Sequence, residues 1–329
     1  MTYSSISMLP VLLMILLLAL DHTSEGIEYH VKPTDPEVTQ CPVQPCQTLA
    51  EYLENSTWDS TTHARVVFMP GHHRVARSFS VRFAFNLTLL GSTSVNHTLH
   101  DTRPILHIAS IRFHNINYLK LTGIIVITSY ELKASPFAAL KFSIIFTLRV
   151  SQIAVHSTRG GIYVDYILGN SVIEHSSFDT MSHDSLVYMH FRSSSTFVES
   201  AIIMMRMLQL KSNLCAEISV KDCIFTSDGG ESISAKFLLN TYPVQIDISN
   251  IKTLGEHHNN INLDVTTHEP YTYIVKIKDS SLKSNGSRNG ILIQSSSFSV
   301  NQRIEISNCT LAGHRTGIEI KMDFLKMKL

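Results

Sequence analysis

Four acids, Asp165, Glu174, Asp179 and Asp184, and three histidine-bearing clusters, His72-His73, His183-Asp184 and Glu256-His257-His258, are the side chains best suited to acid–base or metal chemistry. Hydrolysis of a glycosidic bond needs two carboxylates flanking the scissile bond. Elimination needs Ca2+-binding acids beside an Arg or Lys base. The acids here are scattered and match no basic row in successive segments. Arg159 and Arg315 occupy equivalent loop positions, but no carboxylate pair accompanies them. With 17 histidines in 329 residues, adjacent pairs arise from composition alone. Each cluster, including His72-His73 after its Pro-Gly turn, therefore reads as a solvated loop. The balance leans against an enzyme and implies no catalytic residue, metal ligand or cofactor.

These residues hang on a recurring two-armed unit. Ile304–Ile320, Leu148–Val164 and Val275–Ile293 each read as an alternating apolar arm, a polar corner, an apolar residue, a polar loop and then Gly-Ile-x-aliphatic. Taking the corners as Asn115, Gln152, His175, Asp222, Asn250, Asp279 and Asn308, the residue two before is apolar in all seven, from Phe113 to Ile306. Three after the corner come Tyr118, Val155, Phe178, Phe225, Thr253, Leu282 and Leu311, with Thr253 the exception. The second arm opens at Gly123-Ile124, Gly161-Ile162, Ser232-Ile233, Asn260-Ile261, Gly290-Ile291 and Gly317-Ile318, where the glycines suit a backbone needing positive φ. The last four corners lie 28, 29 and 29 residues apart. An arm of period 2 cannot hide its apolar face alone, but stacking like coils hides it. Asn and Asp suit the corner, since they tolerate sharp bends and can bond along a ladder. The pattern predicts a single-stranded parallel β-helix over 61–322. A β-sandwich would carry similar strands without that period. The 47-residue interval between His175 and Asp222 leaves room for one poorly marked coil around 191–212.

The flanks set the compartment. Met8–Leu20 is apolar, uncharged and too short to span a bilayer, and Ser24-Glu25-Gly26 offers small residues for cleavage, so 1–26 is expected to be a signal peptide, with an uncleaved anchor as the alternative. No later stretch could cross a membrane as a helix. Net charge is zero, which argues against a nucleic-acid surface. Sequons at Asn55, Asn86, Asn96, Asn285 and Asn308 support an extracellular route, although Asn308 doubles as a corner. Residues 27–60 are read as an extended lead-in, a Cys41–Cys46 disulfide loop and a capping helix. The helix is marked by the Thr48–Glu51 capping box, with Leu49, Tyr52 and Leu53 on one face. Cys215, Cys223 and Cys309 are left over; Cys223 and Cys309 share one coil position three coils apart, too far to bridge. Residues 323–329 form a short tail that either covers the last coil or marks an incomplete reading frame.

The Cys-x4-Cys pair leading into Thr48-Leu49-x-x-Tyr52, Phe68-Met-Pro-Gly-His-His73 and Asn86-Leu-Thr-Leu-Leu-Gly91 carry a resemblance. Together with the signal peptide and the coils, they resemble the secreted or cell-surface right-handed β-helix proteins of simple animals, and more distantly the pectate-lyase-like superfamily. The resemblance spans roughly 29–320 and implies an all-β, single-stranded right-handed parallel β-helix with a short N-terminal capping helix. It transfers no functional residue. The inverting hydrolases on this scaffold would show N-T-D, D-D, G-H-G and R-I-K segments, and none occurs in the chain. The expected function is a non-catalytic binding or adhesion module for a glycan or an extracellular or cell-surface protein. A polysaccharide lyase or glycoside hydrolase is the alternative, and a structural matrix component the third.

Overall fold

The computed structural model describes residues 27–34, 46–55, 63–75, 78–91, 103–128, 139–157, 161–167, 170–180, 187–192, 216–228, 231–239, 244–256, 259–267, 273–297 and 302–323. The expected signal peptide, Cys41, Asn96, His183-Asp184, His257-His258, Arg159, Cys215 and 324–329 lie outside them. The described chain is a parallel β-helix whose strands stack on three faces, every pairing being parallel. Parallel crossovers of this kind wind right-handed.

On the first face Val66, Leu89, Leu121, Val150, Ile173, Val220, Ile248, Ile277 and Ile306 form one column. On the second, Leu106, Val126, Val155, Phe178, Phe225, Thr253, Leu282 and Leu311 do the same. On the third, Phe113, Phe142 and Val164 lead, through the backbone of Val187–Arg192, to Ala235, Leu263, Ile293 and Ile320. Period 2 turns these columns inward, where nearly all are fully buried, and aromatic pairs such as Phe178–Phe225 stack at 5.2 Å. Each buried Ile, Leu or Phe stabilises the rod by about 1.5–3 kcal/mol.

The seven proposed corners are the seven non-glycine residues with left-handed φ among those described, between 48° and 56°. Six of them stand in one column linked by backbone bonds, from Gln152 N–H to Glu174 O at 3.2 Å up to Asp279 N–H to Ser307 O at 3.2 Å. Asn115 is the correction. It bends the strand Ile111–Thr122 where the third face runs into the first, so Phe113 belongs to the third face. The corner of that coil is Gly123, with φ 68° and its N–H on Ser151 O. The alternation is alike on both sides of the bend, and a glycine corner carries no polar marker, so the pattern places the corner one face early, eight residues before Gly123. Of the second-arm glycines only Gly123 is left-handed. Gly290 answers a different need, since a Cβ there would lie 2.7 Å from Gly317 O.

Two further expectations are revised. Ile27–Lys32 is a rung rather than a lead-in, inserted between Cys46–Thr48 below and His63–Phe68 above. The rungs of Ile173 and Val220 are direct neighbours, so no extra rung separates them on the first face, and 193–215, where the additional coil was expected, lies outside the described residues. The helix Leu49–Asn55 sits at the first rungs with its capping box formed: Thr48 N–H donates to Glu51 Oε2 at 2.7 Å and Glu51 N–H to Thr48 Oγ1 at 3.4 Å. It buries Leu49 and Tyr52 over the end of the core.

Candidate functional site

Side chains that alternate away from the core form rows along the outside of the rod at about 4.8 Å per coil. The second face carries the richest one. Arg74, His107, Ile127, His156 and Asp179 occupy one outward column, and His72, Ile105, Ile125, Ala154 and Ser177 the one beside it. His72 Nδ1 and His107 Nε2 are 2.9 Å apart and their rings stack at 5.2 Å. One imidazole must donate and the other accept, so the contact requires at least one neutral ring. Two coils further, His156 Nδ1 lies 3.4 Å from Asp179 Oδ2 on open surface. Half-exposed Ile105, Ile125 and Ile127 lie between these polar ends. The result is a flat strip, apolar at its middle and hydrogen-bonding at both ends.

His73 points the other way. It is fully buried, stacks edge-on against Phe68 at 5.4 Å and donates from Nε2 to Met69 O at 2.8 Å. Burial pushes its pKa below the usual histidine range, so it is a neutral core residue. The solvated-loop reading of His72-His73 is corrected for both rings. They belong to a strand, and its alternation sends one ring in and the other out.

Two polar ladders run elsewhere. Along the corners, Asn250 Nδ2 donates to Asp222 Oδ1 at 2.5 Å, Asn308 Nδ2 to Asp279 Oδ1 at 2.6 Å, and His175 Nδ1 stands 3.6 Å from Asp222 Oδ2. At the start of the third-face arms, Asn259 and Asn262 both donate to Glu231 Oε1 at 2.8 Å, and Asn289 donates to Glu319 Oε2 at 3.0 Å. Glu231 and Glu319 are three rungs apart, roughly 14 Å, and are bound by amides rather than facing one another. Glu174 faces the first side of the rod and Asp179 the second. Among the described residues no three His, Cys, Asp or Glu side chains gather where a metal ion could be held.

Of the sequon asparagines, Asn285 is exposed beside the irregularity between Lys283 and Ser287. Asn86 is half-buried and its Nδ2 contacts His63 Nδ1 at 3.1 Å. Asn55 ends the capping helix, and Cys46 opens the strand before it. Cys223 and Cys309 are free thiols in the column of Ile153, Ser176, Ile251 and Ser280. Their thiols reach the carbonyls of Lys221 and Ser307 at 3.0 and 3.2 Å, as the hydroxyls of Ser176 and Ser280 reach Glu174 and Lys278.

The rows containing His107 and the asparagine ladder escaped the sequence reading. His107 was invisible because its coil was registered from Asn115. The recurring Asn259 and Asn289, one residue before Asn260-Ile261 and Gly290-Ile291, were the available signal for the ladder. The fold defines the class as a parallel β-helix. No protein-family model, curated protein or solved structure matches the chain. Among the described residues no helix is long and apolar enough to cross a membrane.

Proposed function

We propose that this is an extracellular binding module of the kind its sequence resembles, presenting the flat outer strip of the second face to a glycan or to an extracellular or cell-surface protein. The observation that carries it is the juxtaposition of Ile105, Ile125 and Ile127 with His72, Arg74 and His107 at one end and His156 and Asp179 at the other. Flat apolar ground bordered by hydrogen-bonding groups suits both a sugar ring and a partner's surface strand. Secretion through 1–26, a Cys41–Cys46 disulfide and glycans on the sequons belong to the same reading. The test is capture on a panel of glycans and cell-surface proteins with the glycosylated secreted chain, alongside a variant carrying His107→Ala and Ile127→Asp. Binding lost in the variant supports the strip. Release of reducing or unsaturated ends from a polysaccharide would replace the reading with an enzymatic one, and ordered self-assembly without any binding would replace it with a structural one.

A further inference from the structure

Charge is spread unevenly along the rod. Residues 61–164 hold 11 Lys or Arg against two acids, Asp101 and Glu131, whereas the remainder of the chain holds 16 against 25. The neutral total therefore conceals a basic segment, and the register gathers its charge on two neighbouring strands. Ile111–Thr122 and Leu140–Ser151 are adjacent rungs that run from the third face into the first. On the third face Arg112 stands beside Lys141, with Arg82 one rung below and one column across. On the first face Lys120 stands beside Arg149. The three arginines are exposed and the two lysines half-buried. His114, Asn115, Tyr118, Ser143 and Thr147, all partly exposed, lie between the two pairs and include no acid. Acids border the band instead. Glu28 holds Arg65 at 3.3 Å two rungs below Lys120, and Glu174 lies one rung above Arg149 and one column across.

We infer that this two-rung band binds a sulfated polysaccharide. Like charges side by side on neighbouring strands are unfavourable, and a bound polyanion removes that cost at both pairs. Cations on adjacent rungs, roughly 4.8 Å apart, call for anions set as closely. A sulfated chain carries them at that density, and the carboxylates of an alternating uronate do not. Three of the five cations are arginines, whose planar forks match the oxygens of a sulfate. On each strand the two cations are eight residues apart, at most about 27 Å, so one oligosaccharide of several sugars reaches both pairs. Nucleic acid fits less well, because its bases call for open aromatic faces to stack on. The Tyr163 ring beside the band is covered by Lys141 Nζ at 5.0 Å. The inference rests on the extracellular reading of the chain, but on a different surface from the second-face strip.

The dissociation constant of the full chain for heparin, measured across a range of salt concentrations, tests it. Binding is expected to weaken linearly on logarithmic axes as salt rises. Lys120→Gln with Arg149→Gln weakens it about tenfold and makes the salt dependence shallower. Should that variant misfold by circular dichroism, Arg112→Gln with Lys141→Gln removes the other pair to the same effect. Lys283→Gln with Arg288→Gln deletes equal charge from exposed positions in a later coil and leaves heparin binding unchanged. The variant carrying His107→Ala and Ile127→Asp also keeps it, so failure of the strip and failure of the band are read separately. No binding at physiological salt, equal affinity for unsulfated hyaluronan, tighter binding of single-stranded DNA, or an equal loss from the later-coil variant would overturn the inference.

Discussion

Asn260 donates a hydrogen bond of 2.6 Å from Nδ2 to Thr253 Oγ1, and both residues are buried inside the rod at 0% and 1% exposure. Each breaks its own column. Thr253 stands between Phe225 and Leu282, and Asn260 takes the place held by Ser232 one coil below and Gly290 one coil above. Thr253 Oγ1 also accepts from Lys283 N–H at 2.8 Å and donates to Lys283 O at 3.0 Å. A threonine in an aliphatic column is tolerable because a second exception, seven residues on, and the neighbouring strand satisfy its hydroxyl.

This pair yields a coupling prediction. Thr253→Val leaves the Lys283 N–H without its acceptor and the Asn260 amide with only its long 3.5 Å contact to Lys283 O, and costs about 1–3 kcal/mol. Asn260→Gly, matching Gly290, removes that weakened donor in advance. The double variant is therefore expected to lose less than the sum of the singles, by about 1 kcal/mol. Urea unfolding of the four proteins measures it, and strict additivity would count against the network.

His73 sets a pH dependence. Its folded pKa lies below the free value of 6.5, so between the two the unfolded chain binds more protons than the folded one. The contribution of the neutral ring is complete above pH 6.5 and is lost as pH falls below it. His73→Leu, matching Leu106 on the next rung, is expected to flatten the fall in melting temperature between pH 7 and 5. Melting curves of wild type and variant at matched pH values decide, and parallel profiles would refute the assignment.

The two free thiols should separate by reactivity. Burial pushes Cys223 up to about 12, leaving almost no thiolate at neutral pH. Cys309 is half-exposed in the last described coil. In dilute native protein, iodoacetamide is expected to label Cys309 well before Cys223, as read by peptide mass mapping. Equal rates would mean that the coil around Cys223 opens readily enough to expose its thiol as fully as that of Cys309.

What the sequence revealed and what it hid follow from the same physics. Apolar alternation fixes which residues face the core, so the columns through Ile248, Ile277 and Ile306 could be written down from spacing alone. Alternation does not say which of three faces an arm occupies, and there the Asn115 coil went astray. The position of Ile27–Lys32 between two later strands is a long-range choice with no local marker. Interior exceptions were visible one by one, as Thr253 was, but their mutual contact depends on two columns meeting inside the rod. Outer rows are hidden for the same reason: Arg74, His107, Ile127 and His156 fall into one column only when four coils are in register.

Gln152 offers the last test, because it is the corner least suited to its backbone. Its φ is 54°, in a column whose other members are Gly123, His175, Asp222, Asn250, Asp279 and Asn308. Left-handed backbone penalises residues with a Cβ, and Asn and Asp escape part of that cost because their short polar side chains bond locally, whereas glutamine is too long to do so. Gln152 is exposed, so no core packing compensates, and Arg103 Nη1 binds its backbone carbonyl rather than its side chain. Gln152→Asn and Gln152→Gly should each stabilise the rod, by up to about 1 kcal/mol. Gln152→Val should destabilise it by more than that, since a β-branched side chain fits this region worst. The opposite order in thermal unfolding would show that the corner column is held by its backbone ladder without regard to side-chain type.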